Sequence, residues 1–534
     1  MTLDEDGPPP AASGAPGTFL PPGMTQVRAR IVLIGSLLTM ILAILDQNIV
    51  TTAAWAITRD LDAAHGLDRL PWLVTAYLVA STATQPLYGK LTDVHGPRKV
   101  FLFAVGLFLT GSMLCGLAQN MVELIVLRFV QGLGGGGLMS ITLVIAARLA
   151  PPDERAKKAG MGGILIALGT LLGPLVGGYI TEHLSWHWVF YVNVPLGAAA
   201  FIAVATSLRL PSEVVPHRID YLGAVLAAAG ASAILLVTEL GGNGEYAWSD
   251  ARMLALMAAS AVLLSAFVWR QAATPEPLFP LALLRNAVFR IASPLIFVSG
   301  FAMMGSVVYV VLYMQIVQGV KPTAAGLHLL PMALGLMVTS IVTGRLIARL
   351  GRYRWFLVVG FGAAALGTAL LAALDVDASW WALNGGLLLL GAGLGPTMQI
   401  TILAVQNAVP VRSMGVATSS TTFSRTIGAA VGTAVLGALL TRRFDAGLDR
   451  AASVHGRPTA AMLHALPADV RDHVLKAFVS GTSAVFVVAT VILTVAFVLA
   501  FFIREVPLED LDEDAPAAGA AREARQDAAA RPSR

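Results

Sequence analysis

GKLTDVHGPRK, residues 89–99, is an unusually polar stretch of this sequence. It places four charged residues, a histidine and two glycines between two long apolar runs. Only 13% of the 534 residues are charged and 56% are hydrophobic, whereas a soluble domain carries roughly 25% charged residues. The chain is therefore predicted to be a membrane protein in which this stretch connects two spanning helices.

Fourteen segments of the sequence have the roughly 20 mostly apolar residues that a spanning helix needs. They lie near 31–56, 71–91, 99–118, 122–148, 159–182, 187–209, 219–240, 251–270, 287–316, 323–349, 353–374, 381–407, 412–441 and 478–503. The sequence thus predicts an all-α integral membrane protein. Two six-helix bundles, 31–209 and 287–503, are expected to flank an inserted helix pair with its linkers at 210–286.

Both ends of the chain are predicted to be cytoplasmic tails. Residues 1–30 are acidic and then rich in Pro, Gly and Ala, without the basic start and apolar core of a signal peptide, so they are expected to be disordered. Residues 504–534 form the second tail. Basic residues concentrate in the connections on the side of the tails, which favours cytoplasmic termini. The long loop 442–477 is expected outside, with a short amphipathic helix.

The polar stretch has a second copy later in the chain. GRLIARLGRYR, residues 344–354, matches it at Gly89 and Gly344, at Gly96 and Gly351, and at Lys99 and Arg354. Both copies follow the second helix of a predicted six-helix block. Repeated six-helix halves are typical of secondary transporters, which place the substrate site at the interface between the repeats.

These residues resemble the signature of the major facilitator superfamily. Its loop between helices two and three carries Gly, a basic residue, Leu, Asp, a second Gly, Arg and a basic residue. The matching positions here are Gly89, Asp93, Gly96, Arg98 and Lys99. On physical grounds, Asp93 can sit at a facing helix N-terminus or pair with an Arg. We expect this loop to latch the outward-open state, with Arg98 and Lys99 holding the bundles together; the alternative is a simple positive-inside anchor.

Four further motifs narrow the resemblance to the fourteen-helix drug:proton antiporters. LDQNIVTTA at 45–53 and WHWVFYVNVPLG at 186–197 resemble the segments of helices one and six in that subfamily. RFVQGLGGGG at 128–137 resembles the family's helix-four motif, and GTLLGPLVGG at 169–178 its antiporter motif in helix five. Small residues at four-residue spacing and a proline suit a tightly packed, bendable helix. The motif positions are Gly169, Gly173, Pro174, Gly177 and Gly178.

Asp46 is the strongest candidate for the coupling chemistry. It lies inside the first predicted span, where a carboxylate is costly and therefore a functional candidate by default. We expect it to carry a proton; a permanent structural ion pair is the alternative. Arg128 in the fourth span is its natural partner, and the family resemblance implies a part in proton transfer. An interfacial Arg128 that snorkels outward is the other possibility.

Several polar and aromatic residues are candidates for the substrate cavity. Arg425 in the thirteenth span could attract an anionic substrate, pair with a carboxylate or brace helices, and the sequence favours none of these. Glu239 ends the seventh span and is expected at the outer surface. Tyr and Met suit a loose pocket for apolar ligands. The other candidates are Gln47, Tyr77, Gln85, Tyr309, Tyr313, Gln315, Met398, Gln399 and Gln406.

The resemblance implies a major facilitator that exports drug-like or natural-product molecules in exchange for protons. We expect a monomer in a bacterial cytoplasmic membrane, with lipophilic substrate, protons and lipids as partners, no nucleic acid and no cofactor or metal beyond the coupling proton. A lipid flippase on the same fold and a transport-dead sensor are the alternatives. A membrane-embedded enzyme is disfavoured, because the sequence contains neither an HExxH motif nor paired intramembrane carboxylates.

Overall fold

The computed structural model describes most of the chain as a set of long helices. The described residues are 24–61, 66–149, 165, 168–169, 172–173, 176–208, 220–242, 246, 249–274, 277, 281–320, 326–410, 413–447 and 467–505. Within them there is no β-strand, in keeping with the predicted all-α class. Most of the predicted tails 1–30 and 504–534, and the tip of the predicted loop 442–477, lie outside the described residues.

The first half of the chain forms six described helices, with further helical residues at 176–183. Asn120 begins the fourth, where its side chain accepts a 2.9 Å hydrogen bond from Glu123 N. Pro97 stands at the first turn of the third, where its missing N–H costs nothing. The helices are α1 (Gln26–Leu61), α2 (Gly66–His95), α3 (Pro97–Cys115), α4 (Met121–Arg148), α5 (Trp188–Tyr191) and α6 (Asn193–Ser207).

Eight further helices and one 3-10 turn (Leu281–Arg285) follow. Side-chain caps fix several starts: Asp250 accepts from Arg252 N, Asn286 from Val288 N, and Ser379 from Ala382 N. The helices are α7 (Tyr221–Gly242), α8 (Ala251–Ala273), α9 (Ala287–Ile316), α10 (Leu330–Leu350), α11 (Arg354–Ala372), α12 (Trp380–Asn407), α13 (Met414–Gly447) and α14 (Ala468–Ala500).

Eleven of the described helical segments are long and apolar enough to cross a membrane, as judged by length and composition. The predicted spans 71–91 and 219–240 fall on α2 and α7, which are not among the eleven, and most of span 159–182 lies outside the described residues. The multi-pass helical architecture is therefore confirmed, while the count of fourteen stays a prediction. Burial varies widely: 83% of the α12 span is buried but only 17% of the α8 span, so α12 is central and α8 peripheral.

Buried apolar residues divide between the two halves of the chain. The largest cluster is built from α9 to α14, and two others belong to the helices that precede α7. One small cluster combines residues of both halves: Met40, Ile44, Leu165 and Met398, with Leu37, Ile41, Met139 and Met303 packed against them. We call this set the inter-half cluster. The predicted domain limits themselves stay predictions.

In both copies of the polar stretch, a glycine with positive φ follows the end of a helix. α2 ends at His95 and α10 at Leu350, and the next residue in each case is a glycine with positive φ, 81° at Gly96 and 66° at Gly351. Only glycine adopts this region without strain, so both turns need it. The copies differ where Asp93 is matched by Ala348, so only the first copy carries a carboxylate.

The inserted helix α7 packs against both halves and against its partner α8. α7 contacts α2 in the first half and α13 in the second, as well as its partner α8. Asp220, at the start of α7, ties the pair together. Its carboxylate accepts from Arg270 Nε at 3.1 Å, from Gln271 Nε2 at 3.3 Å and from Gly223 N at 3.0 Å. The pair therefore bridges the junction between the halves.

Candidate functional site

A buried ion pair inside the first half joins α1 to α4. Arg128 Nη1 donates directly to Asp46 Oδ2, and both side chains are 0% exposed. An ion pair removed from water is costly to form and very costly to break one-sidedly, since a lone buried charge remains. The structure thus brings together the two residues that the sequence singled out for proton coupling.

Three further groups complete the hydrogen bonding around this pair. Asp46 Oδ1 accepts from Gln131 Nε2 at 2.9 Å and from Asn193 Nδ2 at 2.8 Å. Arg128 donates from Nη1 to Gln131 Oε1 at 2.9 Å and from Nε to the Leu73 carbonyl at 3.2 Å. The carboxylate therefore accepts hydrogen bonds from three side chains, and both of its oxygens have partners in this conformation.

Aromatic rings cover the guanidinium of Arg128. Its Cζ lies 4.4 Å from the centre of the Tyr77 ring and 5.9 Å from that of Phe190. Such cation–π contacts are strongest when the cation is desolvated, as here. Among the described residues, Arg128 Nη2 and Asn193 Oδ1 are buried without a hydrogen-bond partner. The network thus keeps one spare donor and one spare acceptor beside the carboxylate.

Gln131 and Asn193 were not identified as site residues from the sequence. Both lie inside motifs that were recognised, RFVQGLGGGG and WHWVFYVNVPLG. A glutamine one helical turn after an intramembrane Arg, at the i+3 position, was the available signal for Gln131. Asn193 is 147 residues from Asp46, and no local pattern links them.

A second polar contact joins the two halves at the α2–α3 connection. Asp93 Oδ1 accepts from Gly415 N and Asp93 Oδ2 from Val416 N, each at 2.8 Å. These amides belong to the first turn of α13, where a carboxylate complements the helix dipole. Arg148, the last residue of α4, lies 3.8 Å from Asp93 Oδ1.

The predicted role of Arg98 and Lys99 in joining the bundles is not what the structure shows. Arg98 is exposed, and its Nη2 donates to the carbonyl of Ala205 in α6, within the same half. Lys99 is exposed as well. The contact of Arg98 therefore joins α3 to α6 within the first half.

Glycines allow α2 and α13 to meet beside Asp93. A Cβ on Gly89 would lie 2.8 Å from the Gly415 carbonyl and would overlap Ser419 Oγ. A Cβ on Gly415 would lie 2.6 Å from the Gly89 carbonyl. Because backbone atoms cannot rotate away, neither position has room for a side chain. The halves are therefore in tight contact on this side of the molecule.

The glycines of the predicted antiporter motif differ in their surroundings. A Cβ on Gly169 would lie 2.6 Å from Ile44 Cγ2, and one on Gly173 would lie 2.3 Å from Asn48 Cβ. These contacts flank Asp46 on α1. Gly177 is buried, Gly178 has no atom within 4 Å of its would-be Cβ, and Pro174 lies outside the described residues.

Alanine at Gly173 and alanine at Gly178 are expected to have opposite effects on stability. Gly173→Ala forces α1 away from the segment at 169–173, which we expect to cost about 1–3 kcal/mol of unfolding free energy. Gly178→Ala meets open space and improves helix propensity, so it is neutral or slightly stabilising. Thermal unfolding of the purified variants measures the difference. Equal destabilisation by both would contradict the packing described here.

The predicted cavity residues fall into separate places. Tyr309 and Tyr313 do not line an opening. Both are 1% exposed in the core of the second half. Tyr309 Oη donates to the Thr433 carbonyl, and Tyr313 Oη donates to the Asp375 carbonyl at 2.6 Å. A buried phenol needs such a partner, so these tyrosines brace helices.

The other predicted cavity residues lie near the ion pair or between the halves. Tyr77 stacks on Arg128, and Gln47 hydrogen-bonds the Tyr77 side chain. Gln85 Oε1 accepts from Thr426 Oγ1 at 3.5 Å, across the halves. Gln399 is buried on α12, and Arg425 is partly exposed on α13. The side chain of Glu239, on α7, is outside the described set.

No group of three or more His, Cys, Asp or Glu side chains that could hold a metal ion occurs in the part of the chain that the structure describes. The single cysteine, Cys115, is buried, with its Sγ 3.7 Å from Gln131 Oε1. The chemistry of the described site therefore consists of one carboxylate, one guanidinium and neutral hydrogen-bonding groups.

Comparison with known proteins identifies the family. The family model described as Major Facilitator Superfamily matches residues 36–433. The MFS-type transporter Rv1877 of Mycobacterium tuberculosis is 36% identical over 511 residues, 95% of this chain and 73% of the relative. The multidrug transporter protein MdtP of Bacillus subtilis is 34% identical over 418 residues, 78% of this chain and 76% of the relative.

Solved structures share the fold. The human organic anion transporter MFSD10 superposes with a TM-score of 0.61 at 16% identity, covering 90% of this chain and 100% of that one. A double Trp mutant of XylE gives a TM-score of 0.59 at 14% identity, covering 90% and 97%. Together with the family match and the multidrug relatives, they show that the chain belongs to the major facilitator superfamily and is a multi-pass membrane transporter.

Proposed function

We propose that this transporter exports lipophilic, drug-like or natural-product molecules across a bacterial cytoplasmic membrane in exchange for protons. The observation that carries the proposal is the fully buried ion pair of Asp46 and Arg128. A titratable carboxylate held inside a membrane protein marks a proton path by default. The relatives named as multidrug transporters, such as MdtP, support the substrate class.

The coupling would arise because a proton that binds to the carboxylate of Asp46 leaves the guanidinium of Arg128 without its counter-charge. A proton on Asp46 removes the charge that pairs with Arg128 and turns one acceptor oxygen into a donor. The Arg128 cation would then be buried without its counter-charge, which is strongly unfavourable. The helices around it must rearrange or admit water, so proton binding would favour a different conformation.

Helix α1 carries both Asp46 and residues of the inter-half cluster, so a movement of α1 would affect the proton site and this cluster together. Ile44 and Asp46 are two residues apart, which places them about 200° apart around the helix axis. Asp46 therefore faces the ion-pair network, while Met40 and Ile44 face the inter-half cluster. A rotation or shift of α1 that follows protonation would change both faces together. We propose this helix as the physical link between proton and substrate.

The contact between Asp93 and α13 would be the latch of the outward-open state. The positive-inside pattern favours a cytoplasmic position for the α2–α3 connection and both termini. The tight approach of Gly89 and Gly415 would then close the cytoplasmic side in the conformation described here. Opening toward the cytoplasm would separate the carboxylate of Asp93 from the amides of Gly415 and Val416.

The proton gradient can drive such an export without a further energy source. One proton entering across 100 mV releases about 2.3 kcal/mol, and a pH step of one unit adds about 1.4 kcal/mol. A one-to-one exchange with a neutral solute would sustain a concentration ratio of several hundredfold, to order of magnitude. We propose a monomer that uses protons and no other cofactor.

The test of this proposal is transport by the purified protein in liposomes. A lipophilic dye is placed at equal concentration on both sides of the membrane, and the outer side is made acidic so that the proton gradient points toward the cytoplasmic side. We expect dye to leave against its gradient, and a protonophore to abolish this movement. A dye flux that is downhill only and has the same rate with and without the pH gradient would contradict antiport. Scrambling of fluorescent lipids without dye transport would instead indicate a flippase.

Removal of Asp93 is expected to open the cytoplasmic side, whereas removal of Arg98 is not. Asp93→Ala loses both hydrogen bonds to α13 and its ion pair, while Arg98→Ala loses one exposed bond within the first half. The distance between spin labels at His95→Cys and Arg352→Cys, both exposed, measures closure. We expect a longer distance in Asp93→Ala only. Equal lengthening in Arg98→Ala would restore the role first predicted for the basic residues.

A further inference from the structure

Methionines from four helices meet between the two halves. Met40 of α1 and Met139 of α4 come from the first half, and Met303 of α9 and Met398 of α12 from the second. Met139 and Met303 keep partial exposure although they lie far from the ends of their helices. Methionine is flexible and polarisable, so such a surface adapts to apolar ligands of varied shape.

The cationic side chain of Arg425 contacts a methionine of this cluster. Arg425 lies on α13 in the second half, and its Nη2 is 3.5 Å from Met139 Sδ in the first half. Thioether sulfur is a weak acceptor and carries no charge. Among the residues that the structure describes, no carboxylate lies within ion-pair distance of Arg425. Its neighbour Thr426 contacts the neutral amide of Gln85 across the halves.

Arg128 and Arg425, both within predicted spans, differ in burial and in ion pairing. Arg128 is fully buried, ion-paired and covered by aromatic rings. Arg425 is partly exposed, and no carboxylate among the described residues lies within ion-pair distance of it. A cation in the membrane interior faces a cavity or a partner rather than lipid, and marks the substrate path. Asp46 cannot attract a cationic ligand to the inter-half cluster, because its charge is already paired on the opposite face of α1.

We propose that the inter-half cluster and Arg425 form a binding site for lipophilic organic anions. The acidic group of the ligand, such as a carboxylate, pairs with the guanidinium of Arg425, and its apolar body lies on the methionines. This inference rests on the proposed export function and names its substrate class. Arg forms strong, two-pronged hydrogen bonds with carboxylates, which would hold the ligand in one orientation.

An anionic substrate also changes the electrical character of the exchange. Exporting a monovalent anion moves one more charge than exporting a neutral molecule against the same number of protons. Both movements carry positive charge inward, so an inside-negative potential favours them together. Accumulation of the anion would therefore respond more steeply to membrane potential than accumulation of a neutral analogue, whatever the proton number.

The test is equilibrium binding of three matched probes to the purified protein without any gradient. The probes are 1-naphthaleneacetate, its neutral amide and the cationic 1-naphthylethylammonium. We expect wild type to bind the acetate about tenfold or more tighter than the amide, and the amine most weakly. Arg425→Gln removes this preference, Arg425→Lys keeps most of it, and Arg290→Gln, an exposed arginine at the start of α9, leaves it unchanged.

Two outcomes overturn the assignment. One is the absence of an anion preference in wild type. The other is a preference that survives Arg425→Gln. Binding is measured without a gradient, so the result separates from the test of antiport. Anion binding that needs Arg425, without pH-driven transport, would refute the proposed antiport but keep this site. Export of the amine that is driven by the pH gradient, without any preference for the anion in binding, would support the proposed antiport and refute this site.

Discussion

In Asp46→Asn, an imposed pH gradient is expected to no longer drive export. The amide keeps the size of the carboxylate but cannot take up a proton, so inward proton movement loses its carrier. The concentration ratio that the gradient sustains should fall from about several hundredfold to about one. Substrate binding should persist with an altered affinity, because the amide in Asp46→Asn mimics the protonated state in which α1 shifts, while the inter-half cluster itself loses no residue. Uphill transport and equilibrium binding in the same liposome preparation measure the two effects.

The matched control removes a different buried carboxylate. Asp220 is also paired with an arginine, Arg270, but it belongs to the inserted helix pair. Asp220→Asn should weaken the packing of α7 on α8 and lower thermal stability while leaving the driven concentration ratio intact. Gradient-driven export that survives in Asp46→Asn would remove Asp46 from coupling. The buried ion pair would then be structural, the alternative that the sequence left open.

The sequence predicts the fold class well because its signal is local. Long apolar segments, polar turns with glycine and the bias of basic residues all act within one helix or one connection. The ion pair was predictable for a related reason: a charge in an apolar run has few acceptable environments, so Asp46 and Arg128 had to find partners. Neither argument depends on how the helices are arranged around one another.

The sequence did not predict the roles of residues whose contacts lie on distant parts of the chain. Tyr309 and Tyr313 look the same in sequence whether they face a cavity or donate to a carbonyl of another helix, and they do the latter. Arg98 was assigned to the wrong neighbour, because its partner is a backbone carbonyl 107 residues away. Asn193 was missed for the same reason. Such contacts are set by tertiary packing, which single-sequence patterns do not encode.

In Gly89→Leu, the cytoplasmic side is expected to stay open and transport to fail. The first side-chain atom alone would meet Ser419 and the Gly415 carbonyl. Overpacking costs about 1–3 kcal/mol, which shifts the equilibrium between closed and open cytoplasmic side by about 5- to 150-fold. A transporter that cannot close this side cannot open the other without forming a continuous leak. Gly415→Leu introduces the same conflict from α13 and should give the same result.

Spin labels at His95→Cys and Arg352→Cys measure this directly, since the native Cys115 is buried. Wild type should show a short and a long distance, and Gly89→Leu the long one alone. Gly385→Leu is the matched control, because its would-be Cβ has no atom within 4 Å. If Gly89→Leu kept the short distance, the α2–α13 crossing would be too compliant to act as a latch. The closed state would then have to depend on the hydrogen bonds of Asp93 to α13.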